Sequence, residues 1–445
     1  MKQIVLLDLP VKNSIPPPIQ AEYWRLHTLY RYHVFYKQIS LAPNAFEKLS
    51  HINVGLGLVH SALKANGFQA ELCQSPEKIL ENIDSVSVIG ISCYTCNYND
   101  AIMFSKKVKE INPAIIIVIG GAHVTAVKEE VLINTPIDFG IYDIGHDCFL
   151  DLVNKLSSDS DFSKVSNLIY RRNGHIIVNE SKINQKTYPV DKSIFGQDSY
   201  DIARVFFRKG CLFNCAFCTN PRKYIHEFDQ AAILDDINDY VYNLGTKIFY
   251  IGDEIFVSVK NMSLIKRLQL GAYSWAANSH ISMFTDELAN MLSGSNCIEI
   301  DFGIESSNED IRKSINKQIG GNDEVERVVQ RILKNNLNAL FYFIVGLPGQ
   351  TEGVIEKEFK FMAQLLDVGI LPQVDIFTPY PGSDIYCNRV KYGINIHGNY
   401  SDMVRFGSVP YSYTYLKSQQ ILELYLEGLD RWIIPGYKKM LSALK

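Results

Sequence analysis

Two trains of alternating strand-like and helix-like segments, separated by a polar break, restrict this chain to an α/β architecture. In the first train, residues 4–7, 87–91 and 115–119 are short apolar runs. Residues 53–66 form an amphipathic helical stretch closed by Gly67, and 99–111 form another. Alternation of this kind implies a parallel sheet with helices on both faces, so residues 1–155 read as a doubly wound, Rossmann-like domain. Segment 11–50 breaks the rhythm with Pro16-Pro17-Pro18 and then Tyr23, Trp24, Tyr30, Tyr32, Phe35 and Tyr36. It reads as a long insertion after the first strand, too aromatic for a floppy linker. Residues 156–200 read as a connector with a hairpin at 168–178 around Asn173-Gly174.

From residue 201 the alternation restarts. Strands are expected at 203–207, 247–251, 297–303, 340–346 and 373–377, with a weaker one near 272–276. Helices are expected near 230–244, 285–293, 307–316, 323–336 and 353–368. Six such units make a partial (β/α)6 TIM-like barrel over 201–394, with chemistry at the C-terminal ends of the strands. The Tyr-rich remainder, 395–445, reads as a C-terminal cap.

The net charge of −4 and the lack of a Lys/Arg block give no support for a nucleic-acid groove. The longest apolar runs, such as 114–119, fall far short of the ~20 residues that cross a bilayer. Asp8 interrupts the N-terminal apolar run at once, as a strand and not a signal peptide would. A cytoplasmic location is the default expectation, and nine cysteines there point to metal or redox use before disulfides.

Residues 208–221 read RKGCLFNCAFCTNP, which places Cys211, Cys215 and Cys218 in the loop after the first barrel strand. Thiolates are natural ligands of iron–sulfur clusters, and three of them leave one iron of a 4Fe-4S cluster open for a substrate or cofactor. Three other readings stay open on spacing alone. They are a zinc site completed by His226, a thioredoxin-like Cys215/Cys218 pair, and a four-thiolate electron carrier completed by Cys297 or Cys387.

The pattern C-x-x-x-C-x-aromatic-C, with Phe217 before the third cysteine, resembles the signature of radical S-adenosylmethionine enzymes. The resemblance implies that the free iron chelates S-adenosylmethionine, whose reductive cleavage yields a 5′-deoxyadenosyl radical. It extends to Gly252-Asp253-Glu254, similar to the motif that holds the methionine amino group. It also covers IDFGIESS at 300–307, where Glu305, followed by Ser306, would meet the ribose hydroxyls, with Lys317 at the usual distance. IVGLPGQTE at 344–352, bearing Gly346, and FTPYPGS at 377–383 resemble the loops of the fifth and sixth units. Two departures stand out: Gln350 replaces the usual Glu, and His280 occupies a segment, WAANSHIS with Asn278, that usually carries Arg.

The first domain resembles the cobalamin-binding domain of one subgroup of that family. GLGLVHSALKAN at 55–66 is similar to its first helix. GISCYTCNYND at 90–100, with Ser92 and Thr95, is similar to the loop near the corrin. IGGAH at 119–123, with Gly120, Gly121 and His123, is similar to the loop near the nucleotide tail, and Gly145 matches the first glycine of a further motif. The Asp-x-His-x-x-Gly motif that supplies a histidine to cobalt is absent, since Asp8 is followed by Leu9-Pro10-Val11. Cys93 and Cys96 form a second C-x-x-C, read as small buried thiols before a redox pair.

The resemblance implies a cobalamin-dependent radical S-adenosylmethionine enzyme, with methyl transfer to the substrate radical as the leading expectation. Radical cyclisation or rearrangement without methyl transfer is the alternative, and a non-catalytic iron–sulfur electron carrier is the alternative of another class. A small-molecule or peptide substrate and an electron donor such as flavodoxin or ferredoxin are the expected partners. No nucleic acid and no membrane are expected.

Overall fold

The computed structural model describes residues 3–10, 15–36, 39, 53–158, 161–182, 201–219, 225–404 and 407–443. Two sheets organise them. The first has seven strands: β1 (Gln3–Asp8), β2 (Ala70–Cys73), β3 (Val86–Ser92), β4 (Ile116–Gly120), β5 (Phe139–Ile141), β6 (Leu168–Arg172) and β7 (His175–Val178). Their spatial order is β2-β1-β3-β4-β5-β6-β7. The first five are parallel, in the doubly wound order whose switch point lies between β1 and β3. The Asn173-Gly174 hairpin forms as expected, with φ of 51° and 79° at the turn. It is not a free connector: β6 pairs antiparallel with β5 and extends the sheet. Apolar side chains from the two faces form two separate cores. Residues 159–160 and 183–200 of the connector lie outside the described residues.

The second sheet holds β8 (Ile202–Val205), β11 (Ile248–Ile251), β12 (Ser274–Ser279), β13 (Cys297–Glu305), β14 (Ala339–Val345) and β15 (Leu371–Ile376). All are parallel and adjacent in chain order. Between β8 and β11, the short β9 (Arg208–Lys209) and β10 (His226–Glu227) pair antiparallel. The six-unit expectation is met, with the weak strand two residues later than expected. This open barrel has two edges, β8 and β15.

The insertion after β1 contains a helix, α1 (Pro18–Phe35), that the sequence reading did not separate from a loop. Pro17 and Pro18 start it, where a missing N–H costs nothing. Its apolar side chains do not serve the first sheet. Tyr23, Leu26, Tyr30 and Phe35 all enter the core of the barrel. There the Tyr23 hydroxyl accepts from the Val374 N–H of β15 at 2.9 Å. Two C-terminal helices, α2 (Ser418–Gly428) and α3 (Ile434–Ala443), complete the cover. The Tyr425 hydroxyl donates to the Val374 carbonyl at 3.2 Å, and that of Tyr437 donates to the Pro372 carbonyl at 3.0 Å. Tyrosine hydroxyls thus satisfy an edge strand that would otherwise present unpaired backbone groups. Residues 11–14, 37–38 and 40–52 of the insertion lie outside the described residues.

Below the barrel, Arg31 of α1 meets Glu299 of β13 through both carboxylate oxygens, Nε to Oε2 at 2.8 Å. The Tyr36 hydroxyl adds a bond to Oε2 at 3.0 Å. Two residues along, Tyr250 and Tyr342 both donate to Asp301 Oδ2. Burial, reinforced by the nearby Glu299, holds the Asp301 carboxyl well above its usual range.

Candidate active site

The C-terminal ends of the barrel strands carry the residues singled out in the sequence. The cysteine loop leaves β8 and is held by backbone bonds from elsewhere: Ala216 N–H to the Ile315 carbonyl at 2.8 Å and Ile385 N–H to the Ala216 carbonyl at 3.0 Å. Asn316 adds a side-chain bond to the Asn214 carbonyl at 2.8 Å. Phe217 packs against the barrel core. Cys211 and Cys215 are half-buried and Cys218 is exposed. Burial pushes the Cys215 thiol up to about 11; the Lys317 ammonium opposes this, while Glu305, Cys218 and Cys211 add to it.

That environment argues against a thioredoxin-like pair, which needs a lowered thiol pKa. Cys297 stands at the start of β13, the opposite end of the barrel from the loop, so it cannot complete a four-thiolate site. His226 is buried on β10 with its ring against Phe228 at 5.0 Å. Cys387 is exposed at the end of the short Asp384–Cys387 helix. Among the described residues no group of three or more His, Cys, Asp or Glu side chains is placed to hold a metal ion, the cysteine triplet included. By its chemistry the donor set, three thiols on one loop with the Lys317 ammonium near Cys215, suits an iron–sulfur cluster with an open iron.

Asp253 and Glu254, after β11, turn toward the strand that leads to the cysteines. Asp253 Oδ1 accepts from the N–H groups of Phe207 at 2.9 Å and Arg208 at 3.2 Å. The Arg208 guanidinium lies 3.5 Å from Oδ2. Burial pushes the Asp253 carboxyl up to about 7, against those bonds and that charge. Glu254 accepts from the Gly210 N–H at 3.1 Å. Gly252 is required where it stands, because a Cβ there would lie 2.3 Å from the Phe206 ring. Asn278 donates to the Asp253 carbonyl at 2.9 Å.

Glu305 ends β13 with a φ of +66° and pairs with Lys317 at 2.9 Å. A left-handed non-glycine residue carries strain that its surroundings must hold, as functional sites often do. Ser306 instead faces inward and donates to Glu358. Gly346, at φ +92°, gives its carbonyl to the hydroxyls of Tyr411 at 3.0 Å and Tyr413 at 2.9 Å. Gln350 uses both ends of its amide. Its oxygen accepts from Gly346 and Leu347, and its nitrogen donates to the Ile344 carbonyl at 3.1 Å. His280 stacks on Phe213 at 3.9 Å, and burial holds its ring down at about 3, with Lys317 adding to the effect.

At the switch point of the first sheet, Asp8, Ser92 and Gly120 end β1, β3 and β4 in register. The Asn53 amide bridges Asp8 at 2.8 Å and Ser92 at 2.9 Å while capping the helix Val54–Ala65. Gly121 has a φ of +112°, and a Cβ there would lie 2.6 Å from the Cys93 carbonyl, so the two loops meet only because it is glycine. Gly145 admits the Ile141 side chain, which a Cβ would meet at 2.8 Å. His123 bonds Thr95 at 3.2 Å, and its ring lies between Tyr98 at 4.3 Å and Tyr400 at 4.8 Å. Burial holds that ring down at about 4, so it is neutral near pH 7. Cys93 is fully buried.

The model of the radical SAM superfamily matches residues 205–362, and that of the B12 binding domain matches 48–153. The chain belongs to the radical SAM superfamily, in its B12-binding branch. An uncharacterised methyltransferase of Pyrococcus horikoshii is 29% identical over 328 residues, covering 69% of this chain and 70% of that protein. The bacteriochlorophyllide d C-12(1)-methyltransferase of Chlorobaculum tepidum is 25% identical, covering 70% and 67%. Among solved structures, TsrM from Kitasatospora setae, with cobalamin and a [4Fe-4S] cluster bound, superposes with a TM-score of 0.65 at 14% identity. It covers 91% of this chain and 83% of its own, which establishes the shared fold. The cofactors of this radical SAM enzyme are a 4Fe-4S cluster, S-adenosylmethionine and cobalamin. Among the described residues no helix is long and apolar enough to cross a membrane.

The roles of Arg208 and of the Arg31–Glu299 pair are not visible in the sequence, and Gln350 stands out there only as a departure from the usual Glu. Arg208 lies within the cysteine motif, but its partner Asp253 is 45 residues away, and nothing local signals the pairing.

Proposed function

We propose that this chain is a cobalamin-dependent radical SAM methyltransferase acting on a small molecule or peptide. The observation that carries this is the coexistence of a three-thiol loop at the barrel mouth with a polar switch point, Asp8–Asn53–Ser92, in the preceding sheet. When bound, the cluster with S-adenosylmethionine supplies one-electron chemistry at an unactivated carbon, and the corrin supplies a methyl group.

The protein's own part is placement. Cys211, Cys215 and Cys218 would hold the cluster, and Lys317 places a cation beside them. Asp253 and Glu254 fix the backbone from Phe207 to Gly210, which sets the direction of the cysteine loop. Phe217, Gly252, Asn278, Glu305, Ser306 and Gly346 shape or support the S-adenosylmethionine pocket. Glu305 on that rim is paired to Lys317. Ser92, Thr95, Gly120, Gly121, His123 and Gly145 build the corrin side. His123 serves there as a neutral wedge between loops, its Nδ1 on Thr95 and its ring between Tyr98 and Tyr400. An electron donor of the flavodoxin or ferredoxin type completes the system.

Anaerobic reconstitution should give about four irons per chain, lost in Cys215→Ala, with corrin absorbance retained through gel filtration. Under reducing conditions with S-adenosylmethionine, both 5′-deoxyadenosine and S-adenosylhomocysteine should form. A protein that holds iron but no corrin, and never forms S-adenosylhomocysteine, would refute methyl transfer.

A further inference from the structure

Most cations near the barrel axis are matched by an acid. Arg31 faces Glu299, Arg208 faces Asp253 and Lys317 faces Glu305. Arg204 differs. It stands on β8 between Ala203 and Val205, which are both buried in the barrel core, while Arg204 itself is exposed. The alternation of a strand sends it to the opposite face, toward the lumen. Its register partner is Tyr250 of β11, and its guanidinium lies over that ring, 5.5 Å from the centroid. Among the described residues it has neither a carboxylate partner nor a hydrogen bond.

Its place in the molecule narrows the ligand. Tyr94, on the loop after β3, is 44% exposed. Burial and the Asp8 carboxylate raise its phenol, while the charge of Arg204 lowers it. Arg204 lies one residue before the C-terminal end of β8, the barrel end from which the cysteine loop leaves, and its charge reaches Tyr94 on the corrin-side loop. The neighbouring Tyr250 and Tyr342 give this part of the lumen aromatic walls, and their hydroxyls are committed to Asp301. A guanidinium held over a ring, with no counter-ion among the described residues, is suited to bidentate capture of an oxyanion.

We infer that Arg204 is the specificity-determining residue of the substrate pocket and receives a carboxylate or phosphate group of the substrate. This rests on the proposed function, which supplies the reason for a substrate to sit there. Capture of the anion would hold the rest of the substrate against the tyrosine walls, within reach of both cofactor regions.

The test uses the full chain carrying cluster, S-adenosylmethionine and cobalamin, titrated calorimetrically with benzoate, phenyl phosphate and benzamide. Benzoate or phenyl phosphate should bind, and whichever is tighter identifies the anion. Arg204→Met should weaken that binding at least about tenfold, as expected for loss of a charge-assisted hydrogen bond. Arg204→Lys should retain part of it, and benzamide should not distinguish the proteins. Two results would overturn the inference: anions binding Arg204→Met as they bind wild type, or neither anion binding wild type. Iron and corrin contents are measured on the same samples. Their absence from wild type counts against the proposed function. Their loss from both Arg204 variants alone would show a structural or cofactor-holding role, and would also overturn the inference.

Discussion

Arg31→Met tests whether the insertion helix is part of the barrel or merely lies on it. Methionine keeps most of the apolar stem and removes the charge. The Glu299 side chain is fully buried at 0% exposure, while that of Arg31 retains 20%. Breaking a buried ion pair by removing one partner costs about 3–5 kcal/mol. The partial exposure of Arg31 and the surviving Tyr36 bond place the expected loss near the lower bound, at about 3 kcal/mol. Arg31→Met/Glu299→Gln should recover a substantial part of the loss, because no charge is then stranded. Urea unfolding of the full chain, followed by tryptophan fluorescence, measures all three variants. Trp24 on α1 and Trp275 on β12 report from the two sides of the pair. A loss below about 1 kcal/mol, the range of an exposed pair, would refute the reasoning, as would failure of the second substitution to rescue.

Three further outcomes follow from the same geometry. Gly121→Ala meets both a φ of +112° and the Cys93 carbonyl at 2.6 Å; it should cost at least about 1–3 kcal/mol and reduce corrin retention on gel filtration. Gln350→Glu removes the donor to the Ile344 carbonyl and sets a second carboxylate beside Glu358, whose own carboxyl burial already raises. Its thermal midpoint should fall most at pH 8 and recover toward pH 6, as the pair shares a proton. Asp253 has a folded pKa raised to about 7, so its contribution to stability is present at low pH and lost as pH climbs toward 8. Asp253→Asn should therefore flatten the thermal midpoint between pH 5 and pH 8; an unchanged slope would show that Asp253 is already ionised throughout.

The strands were legible because each is a short apolar run bounded by turn residues, and most lie within two residues of their expected positions. The triplet of cysteines was legible because function demands it at fixed spacing. Helix α1 was hidden by its destination. Its apolar positions, Tyr23, Leu26 and Tyr30, have helical spacing, and Pro17-Pro18 is a helix-start signal, yet their partners lie on β15 and α3, hundreds of residues on. The hairpin was recognised but not placed, since nothing local says that an antiparallel pair will extend a parallel sheet. Asp253 and Glu254 were found from their motif, but their grip on the Phe207–Gly210 backbone is a contact across the barrel mouth that no spacing reveals.

The position of α1 also bears on how one chain keeps two cofactor regions in a fixed relation. The segment leaves the first sheet at Asp8, crosses to the barrel, and returns at Asn53. The side chains of those two departure points bond each other at the switch point. A second tie runs on the other side, where Tyr400 packs on His123 and Ser401 accepts from Asn99. A Cβ on Gly382 would meet Ala126 at 2.9 Å, so the loop after β15 is pressed against the first domain as well. Each contact is small, but they act at separate points, and a rigid body held at several separate points cannot hinge about any one of them. The placement of the first sheet against the barrel is thus fixed by the insertion, the cap and the loop after β15 together. The insertion helix and the Tyr400–Ser401 turn of the cap lie in the stretches with the least regular sequence pattern, and each meets its partner across the domain boundary.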